Sequence, residues 1–325
     1  MNKLYPLKFT PIILEKIWGG NKLKSILKKN TSSDKAGESW EISGVKENIS
    51  VVSEGFLEGN SLIELIEIYM GDLVGDTVFE KFGYEFPLLI KFIDASDKLS
   101  IQVHPDDLLA QKRHGSFGKT EMWYILQADD DAEITVGFSR QVSKEEYLQQ
   151  LNQKTLENIL NVEKTVAGDV FMLPAGRLHA IGAGILLAEI QQTSDITYRI
   201  YDYDRPDQSG KLRELHTDLA LDAIDFSLHD KYKTEYLKKL NERINLAGCK
   251  YFQTNLYEIN KSFELDYFSK DTFVIFICLE GKMKLEFQDG SVDFSKGETI
   301  LVPAIIKNLY LTPLVKSRFL EVYLP

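Results

Sequence analysis

Gly168-Asp169-Val170-Phe171-Met172-Leu173-Pro174-Ala175-Gly176-Arg177-Leu178-His179 opens with a glycine turn and an acidic residue, runs through four strand-forming residues to a proline, and ends on a glycine and a histidine. Its first seven positions recur late in the chain as Gly297-Glu298-Thr299-Ile300-Leu301-Val302-Pro303. One such stretch says little, because a glycine turn feeding a strand is common. Two copies, each late in its own β-rich segment, predict a duplicated jelly roll.

The surrounding sequence agrees. Runs of β-branched and aromatic residues at Ile49–Val52, Pro87–Ile93, Leu99–Val103, Met122–Gln127, Ile134–Gly137, Asp169–Leu173, Ile185–Gln191 and Phe273–Leu279 are punctuated by Gly, Asp, Asn and Pro at the spacing of antiparallel sheets. Helical periodicity is confined to Ser61–Met70 after a cap at Asn60, Ser143–Leu160 after a cap at Ser143, and Leu215–Phe226. The Lys-rich stretch Lys231–Arg243 reads as a solvated linker. The expectation is a mainly β chain of two jelly-roll barrels with a few short helices, residues 1–230 forming the first unit with helical additions and 231–325 the second.

Bulk properties narrow the function. A chain of 325 residues is long for a single core and suits two. A net charge of −11 argues against nucleic acid or an anionic membrane as partner, since both demand a surplus of Lys and Arg. A small phosphorylated ligand needs only a few local cations. Cys249 and Cys278 form no CxxC pair, so neither a disulfide framework nor a cysteine zinc knuckle is indicated and a reducing compartment fits. Met1–Thr10 is a strand-like Leu/Tyr/Phe mixture without the apolar core of a signal peptide, and no apolar run approaches the about 20 residues of a membrane helix. The protein is expected to be cytoplasmic and a monomer or weak homodimer.

The continuation Pro174-Ala175-Gly176-Arg177-Leu178-His179 completes the second cupin motif, G-x5-P-x-G-x2-H, up to its histidine; Ala183 stands where an Asn is usual. In the second half Ile305 and Asn308 stand where the glycine and histidine fall, so a metal is expected in the first barrel alone. Gln102 and His104, two apart on a strand, point to one face. Glu121 opens the run Met122–Leu126 and offers a carboxylate. Together with His179 they give two imidazoles, a carboxylate and an amide oxygen, a set that accommodates zinc with an open position, and Mn, Co or Fe as well. Each has a plainer reading: a turn histidine before Pro105, an exposed strand-end carboxylate, an amide bonded to backbone. His114, His216 and His229 have no comparable context and read as surface or structural.

Longer stretches carry a resemblance. Phe86-Pro87-Leu88-Leu89-Ile90-Lys91, Leu99-Ser100-Ile101-Gln102-Val103-His104-Pro105, Gly118-Lys119-Thr120-Glu121-Met122-Trp123-Tyr124 and Leu173 to Gly182 resemble type I mannose-6-phosphate isomerase. So do Trp18-Gly19-Gly20, Gly37-Glu38-Ser39-Trp40-Glu41-Ile42-Ser43 and Ser194-Asp195-Ile196-Thr197-Tyr198-Arg199. The resemblance spans nearly the whole chain, whose length is similar to that of the short bacterial branch. It implies one zinc on Gln102, His104, Glu121 and His179, a sugar phosphate as substrate, and phosphate binding by Ser100 and Lys119, with Lys91 a further candidate. It also implies aldose-ketose isomerisation through a cis-enediol, with Arg199, matching the family's arginine, stabilising the enediolate. Glu189, turned inward by strand alternation, is a candidate base; the alternative is a structural pairing with Arg199. Two rival functions stay open: a non-catalytic sugar-phosphate-binding protein and a metal cupin oxygenase.

Overall fold

The computed structural model describes residues 3–207 and 210–325, so Met1 and Asn2 of the strand-like N-terminus lie outside the described residues. The first half carries β1 (Ile12–Gly20), β2 (Ala36–Ile42), β3 (Leu88–Ala95), β4 (Ile101–Val103), β5 (Glu121–Ala128), β6 (Glu133–Phe138), β7 (Leu160–Lys164), β8 (Val170–Leu173), β9 (His179–Ile181), β10 (Ile185–Gln192) and β11 (Tyr198–Tyr201). The second carries β12 (Arg243–Gly248), β13 (Gln253–Ile259), β14 (Phe263–Asp266), β15 (Val274–Glu280), β16 (Lys282–Phe287), β17 (Gly290–Ser295), β18 (Thr299–Val302), β19 (Asn308–Pro313) and β20 (Ser317–Tyr323). The helices are short: α1 (Lys22–Ser25), α2 (Leu62–Tyr69), α3 (Gly71–Val74), α4 (Asp76–Phe82), α5 (Asp107–His114), α6 (Lys144–Asn152) and α7 (Thr217–Ala223). None among the described residues is long and apolar enough to cross a membrane.

Each half is a two-sheet jelly roll. The first pairs a six-stranded sheet, β1-β2-β3-β10-β5-β8, with a five-stranded one, β11-β4-β9-β6-β7. The second pairs β12-β13-β20-β15-β18 with β14-β19-β16-β17. The repeated sequence falls on β8 and β18, and β3-β10-β5-β8 has the same order as β13-β20-β15-β18. The two larger sheets also share a core: Ile90, Phe92, Tyr124 and Ile190 of the first join Leu256, Ile275, Leu320 and Val322 of the second in one apolar cluster. Covering both faces of β3 and β10 explains why they read as near-continuous apolar runs rather than as alternation.

Both repeated strands lie at sheet edges, and both edges are covered. Leu7 exchanges backbone hydrogen bonds with Leu301 on β18. On β8, Thr234 N–H donates to Val170 O, and the Tyr236 hydroxyl donates to Gly168 O at 2.6 Å. Tyr232 is buried and bonds both backbone groups of Phe138. The Lys-rich stretch is therefore a strap that shields an edge from mispairing rather than a wholly solvated linker.

Other local expectations shift for identifiable reasons. Ile49–Val52 makes only isolated bridges, Val52 to Phe9 and Val51 to Ser61. Helix α2 is capped by Ser61, one residue after Asn60, through a reciprocal capping box with Glu64. Ser143 caps α6 as expected, but the helix ends at Asn152 because Lys154 turns to φ +58°. Leu156, Ile159 and Leu160 then continue as a 3-10 turn and the start of β7, facing the same core, which is why the apolar period outruns the helix.

Candidate functional site

Antiparallel register assembles the site from both sheets of the first barrel. Arg199 lies opposite Gln102 on β4, and Gln102 opposite His179 on β9, so directly facing residues place the three side chains in one row. On the other sheet Trp40, Lys91, Glu189 and Trp123 form a second row across β2, β3, β10 and β5, with Glu121 two residues before Trp123 on the same face. The loop before His179 turns at Gly176, whose φ is +89° and where a Cβ would come within 2.9 Å of Ala223 O. Its N–H donates to His104 O at 2.9 Å, tying the motif loop to the other histidine.

Three buried side chains converge there. His104, Glu121 and His179 offer ligand atoms within 4.8 Å of one another. His104 Nδ1 bonds Ile196 O at 3.0 Å and His179 Nδ1 bonds Arg177 O at 2.9 Å. A carbonyl only accepts, so both rings carry their proton on Nδ1 and turn the Nε2 lone pair inward. Those nitrogens face Glu121 at 3.4 Å, His104 toward Oε2 and His179 toward Oε1. His104 Nε2 and both Glu121 oxygens are buried without a hydrogen-bond partner. Unpaired buried acceptors cost about 1–3 kcal/mol each, more when charged, and three aimed at one point fit a cation of the N/O-preferring kind.

The electrostatics agree. Burial, reinforced by Lys119, pushes the His104 imidazole down to about 3, and burial likewise lowers His179. Burial pushes the Glu121 carboxyl up, but Lys119, His104 and His179 outweigh it and hold it below the usual carboxylate range. Neutral imidazoles and an ionised carboxylate are the forms that ligate metal. Gln102 presents its amide Nε2 to His179 Nε2 at 3.2 Å. Since amide oxygen and nitrogen are assigned from such bonds, a half-turn of the group offers the oxygen instead.

Beside this cluster a cavity of about 450 Å³ is lined by Ser100, Gln102, Lys91, Lys119, Glu189 and Arg199. Lys119 Nζ lies 3.5 Å from Glu121 Oε2. Lys91 Nζ lies 3.1 Å from Glu189 Oε1 and 5.0 Å from the centre of the Trp40 ring. Burial lowers the Lys91 ammonium, but Glu189 and Glu38 more than compensate and keep it charged. Glu189 also accepts from Trp123 Nε1 at 2.8 Å. Its partners are thus Lys91 and Trp123, not Arg199, whose Nη1 donates to Glu214 O at 2.8 Å while its buried Nε has no partner. Glu121 is fully buried, which removes its reading as an exposed strand-end carboxylate.

The cavity also takes in Trp18, Glu38, Trp40, Asp195, Thr197 and Arg213, none of which carried a role in the sequence. All but Arg213 lie within the stretches that carry the family resemblance. What makes Trp40 part of the site is its place opposite Lys91, a matter of register between distant strands.

The profile of the phosphomannose isomerase type I catalytic domain matches residues 7–140, and that of the mannose-6-phosphate isomerase cupin domain matches residues 242–316. Mannose-6-phosphate isomerase ManA of Bacillus subtilis (strain 168) is 36% identical over 304 residues, covering 92% of this chain and 93% of that protein. Mannose-6-phosphate isomerase of Streptococcus mutans is 34% identical over 304 residues, covering 93% and 94%. The crystal structure of mannose 6-phosphate isomerase from Bacillus subtilis superposes with a TM-score of 0.89 at 33% identity, over 98% of this chain and 99% of that one.

Proposed function

The chain belongs to the type I phosphomannose isomerase family, and from that premise we propose that it interconverts D-mannose 6-phosphate and D-fructose 6-phosphate with one zinc ion per chain. The observation that carries this reading is the trio of unpartnered buried acceptors, His104 Nε2 and the two Glu121 oxygens, next to a cavity lined with cations. We assign the ion to Gln102, His104, Glu121 and His179. When bound, zinc supplies Lewis-acid polarisation of a substrate carbonyl or hydroxyl oxygen.

The remaining work falls to side chains of the cavity. The Ser100 hydroxyl and the Lys119 ammonium receive the phosphate, a donor and a point charge suited to a dianion. Lys91, already matched by Glu189, takes a smaller share. From aldose to ketose a proton leaves C2 for a base, the pair left behind forms the C1–C2 double bond as the C1=O1 π pair moves onto O1, and O1 takes a proton to complete the cis-enediol; O2 then gives up its proton as C2=O2 forms and the double-bond pair takes the proton back at C1. Glu189 is our candidate base: it is buried beside the cavity, Trp123 donates to its Oε2, and its Oε1, 3.1 Å from the Lys91 ammonium, has no hydrogen-bond partner. Arg199, always charged and with Nε free of any partner, stabilises the negative oxygen of the enediolate.

A coupled assay of mannose 6-phosphate conversion, before and after chelation, tests the proposal. Activity should vanish with chelator and return with zinc. Binding of mannose 6-phosphate without turnover would instead identify a sensor, and undiminished turnover after complete metal removal would contradict the metal role.

A further inference from the structure

Lys119 is clamped by its backbone, and the clamp reaches into the other barrel. Asp107, the first residue of α5, accepts the Gly118 N–H at 3.1 Å and the Gln192 Nε2 at 3.0 Å on Oδ1. Gln192 in turn accepts the Thr120 N–H at 2.9 Å on Oε1. The peptide after Lys119 is thereby held through Gln192 and the one before Gly118 directly by Asp107, while the Gly118–Lys119 peptide between them donates its N–H to Pro105 O at 3.1 Å. A Cβ at Gly118 would lie 2.6 Å from the Asp107 backbone N, so the segment packs directly onto the start of α5.

The second oxygen of Asp107 belongs to the C-terminal barrel: its Oδ2 accepts the Tyr251 hydroxyl, and Lys250 Nζ lies 3.5 Å away. Both residues sit in the turn between β12 and β13. Tyr251 packs its ring against the core shared by the two barrels, so the hydroxyl is aimed by buried surface rather than by a free loop. From these contacts we infer that Tyr251 is a positioning residue for the reaction: through Asp107 it sets the place of Lys119 and so the capture of the substrate phosphate. The C-terminal barrel, which lacks the ligand set, then contributes to the site by holding the segment that leads into Glu121. This inference rests on the reading of Lys119 as a phosphate ligand.

Tyr251→Phe keeps the ring and removes only the hydroxyl. KM for mannose 6-phosphate should rise about fivefold, with kcat within about twofold, zinc content unchanged and the melting temperature near that of the parent, because Glu121 itself is anchored by β8 and β10. Asp107→Ala, which frees Gly118 and Gln192 together, should raise KM further. In a Lys119→Ala background Tyr251→Phe should change KM by less than about twofold, since a residue acting through Lys119 has nothing left to position. An unchanged KM in Tyr251→Phe, a fall in kcat at constant KM, or full multiplication of the two effects overturns the inference while leaving the phosphate site standing. If Lys119→Ala alone leaves KM unchanged, the phosphate reading fails and the inference fails with it.

Discussion

The two barrels hold a glutamate at the same place, with different residues around it. In the first, Glu189 on β10 lies opposite Trp123 on β5 and Lys91 on β3. In the second, Glu321 on β20 lies opposite Phe276 on β15 and Asn255 on β13. Phe171 and Ile300, third after the acidic residue's glycine in each repeat, pair with Trp123 and Phe276 and so fix the correspondence. Glu321 is fully buried, and Asn255 Nδ2, Arg243 Nη2 and the Tyr267 hydroxyl all donate to it. Glu121, two residues before Trp123, is equally buried but has neither oxygen hydrogen-bonded, and its counterpart in the second barrel is Val274. Burial alone does not distinguish a site from a core: a satisfied carboxylate holds structure, while an unsatisfied one between two lone pairs asks for a cation.

The facing sheets diverge in the same sense. Gln102 and His179 are opposite each other in the first barrel, and the inward pair in the second is Leu265 and Leu309, both in its apolar core. Asn308, the residue that the repeat aligns with His179, is exposed. The second strand is offset by one residue, which turns every side chain to the other face.

Changes in the two barrels should therefore have unlike consequences. The largest belongs to Glu121→Ala, which should empty the protein of zinc and cut turnover by at least about 10³-fold, beyond the loss expected for a single electrostatic contact. Metal analysis and a coupled assay on the same preparation check both. Next comes Arg199→Lys, which keeps the charge and loses the planar fork. It should lower kcat by about 10²-fold, roughly 3 kcal/mol of transition-state stabilisation, with zinc content and melting temperature near wild type. A fall in melting temperature with near-normal turnover would make Arg199 structural.

Lys119→Ala should act mainly on KM, since a charge-assisted contact to a dianion contributes about 1.5–3 kcal/mol, and unphosphorylated mannose should be a very poor substrate. Equal efficiency for mannose and its phosphate would dismiss the phosphate site. The smallest effect on catalysis is expected in the second barrel. Glu321→Gln removes the acceptor charge from Arg243 and Tyr267 and should destabilise the fold by about 1.5–3 kcal/mol, while turnover per folded molecule and zinc content stay unchanged. Loss of turnover out of proportion to unfolding would show that the second barrel's glutamate has a chemical role.

How far the sequence reached follows from the range of each signal. The repeat, the motif around His179 and the common face of Gln102 and His104 depend on spacing within a dozen residues, and strand period makes that legible. The outward turn of Asn308 was not legible, because the inward position of β19 falls on Leu309, one residue further along the repeat than His179 on β9. The pairing of Glu189 with Lys91 rather than Arg199 rests on β10 lying next to β3, a neighbourhood across the 89 residues from 96 to 184 that only packing decides. Tyr251 and Asp107, 144 residues apart, belong to different barrels and share no motif. Patterns report local geometry, whereas partners depend on register and on which sheet faces which.

The asymmetry between the barrels is tested most directly by counting metal. Zinc per chain should be one in the wild type and near zero in the His104→Ala, His179→Ala double variant, with the C-terminal barrel intact and the protein still folded by circular dichroism. Two tightly bound zinc ions in the wild type, or one retained by the double variant, would contradict it.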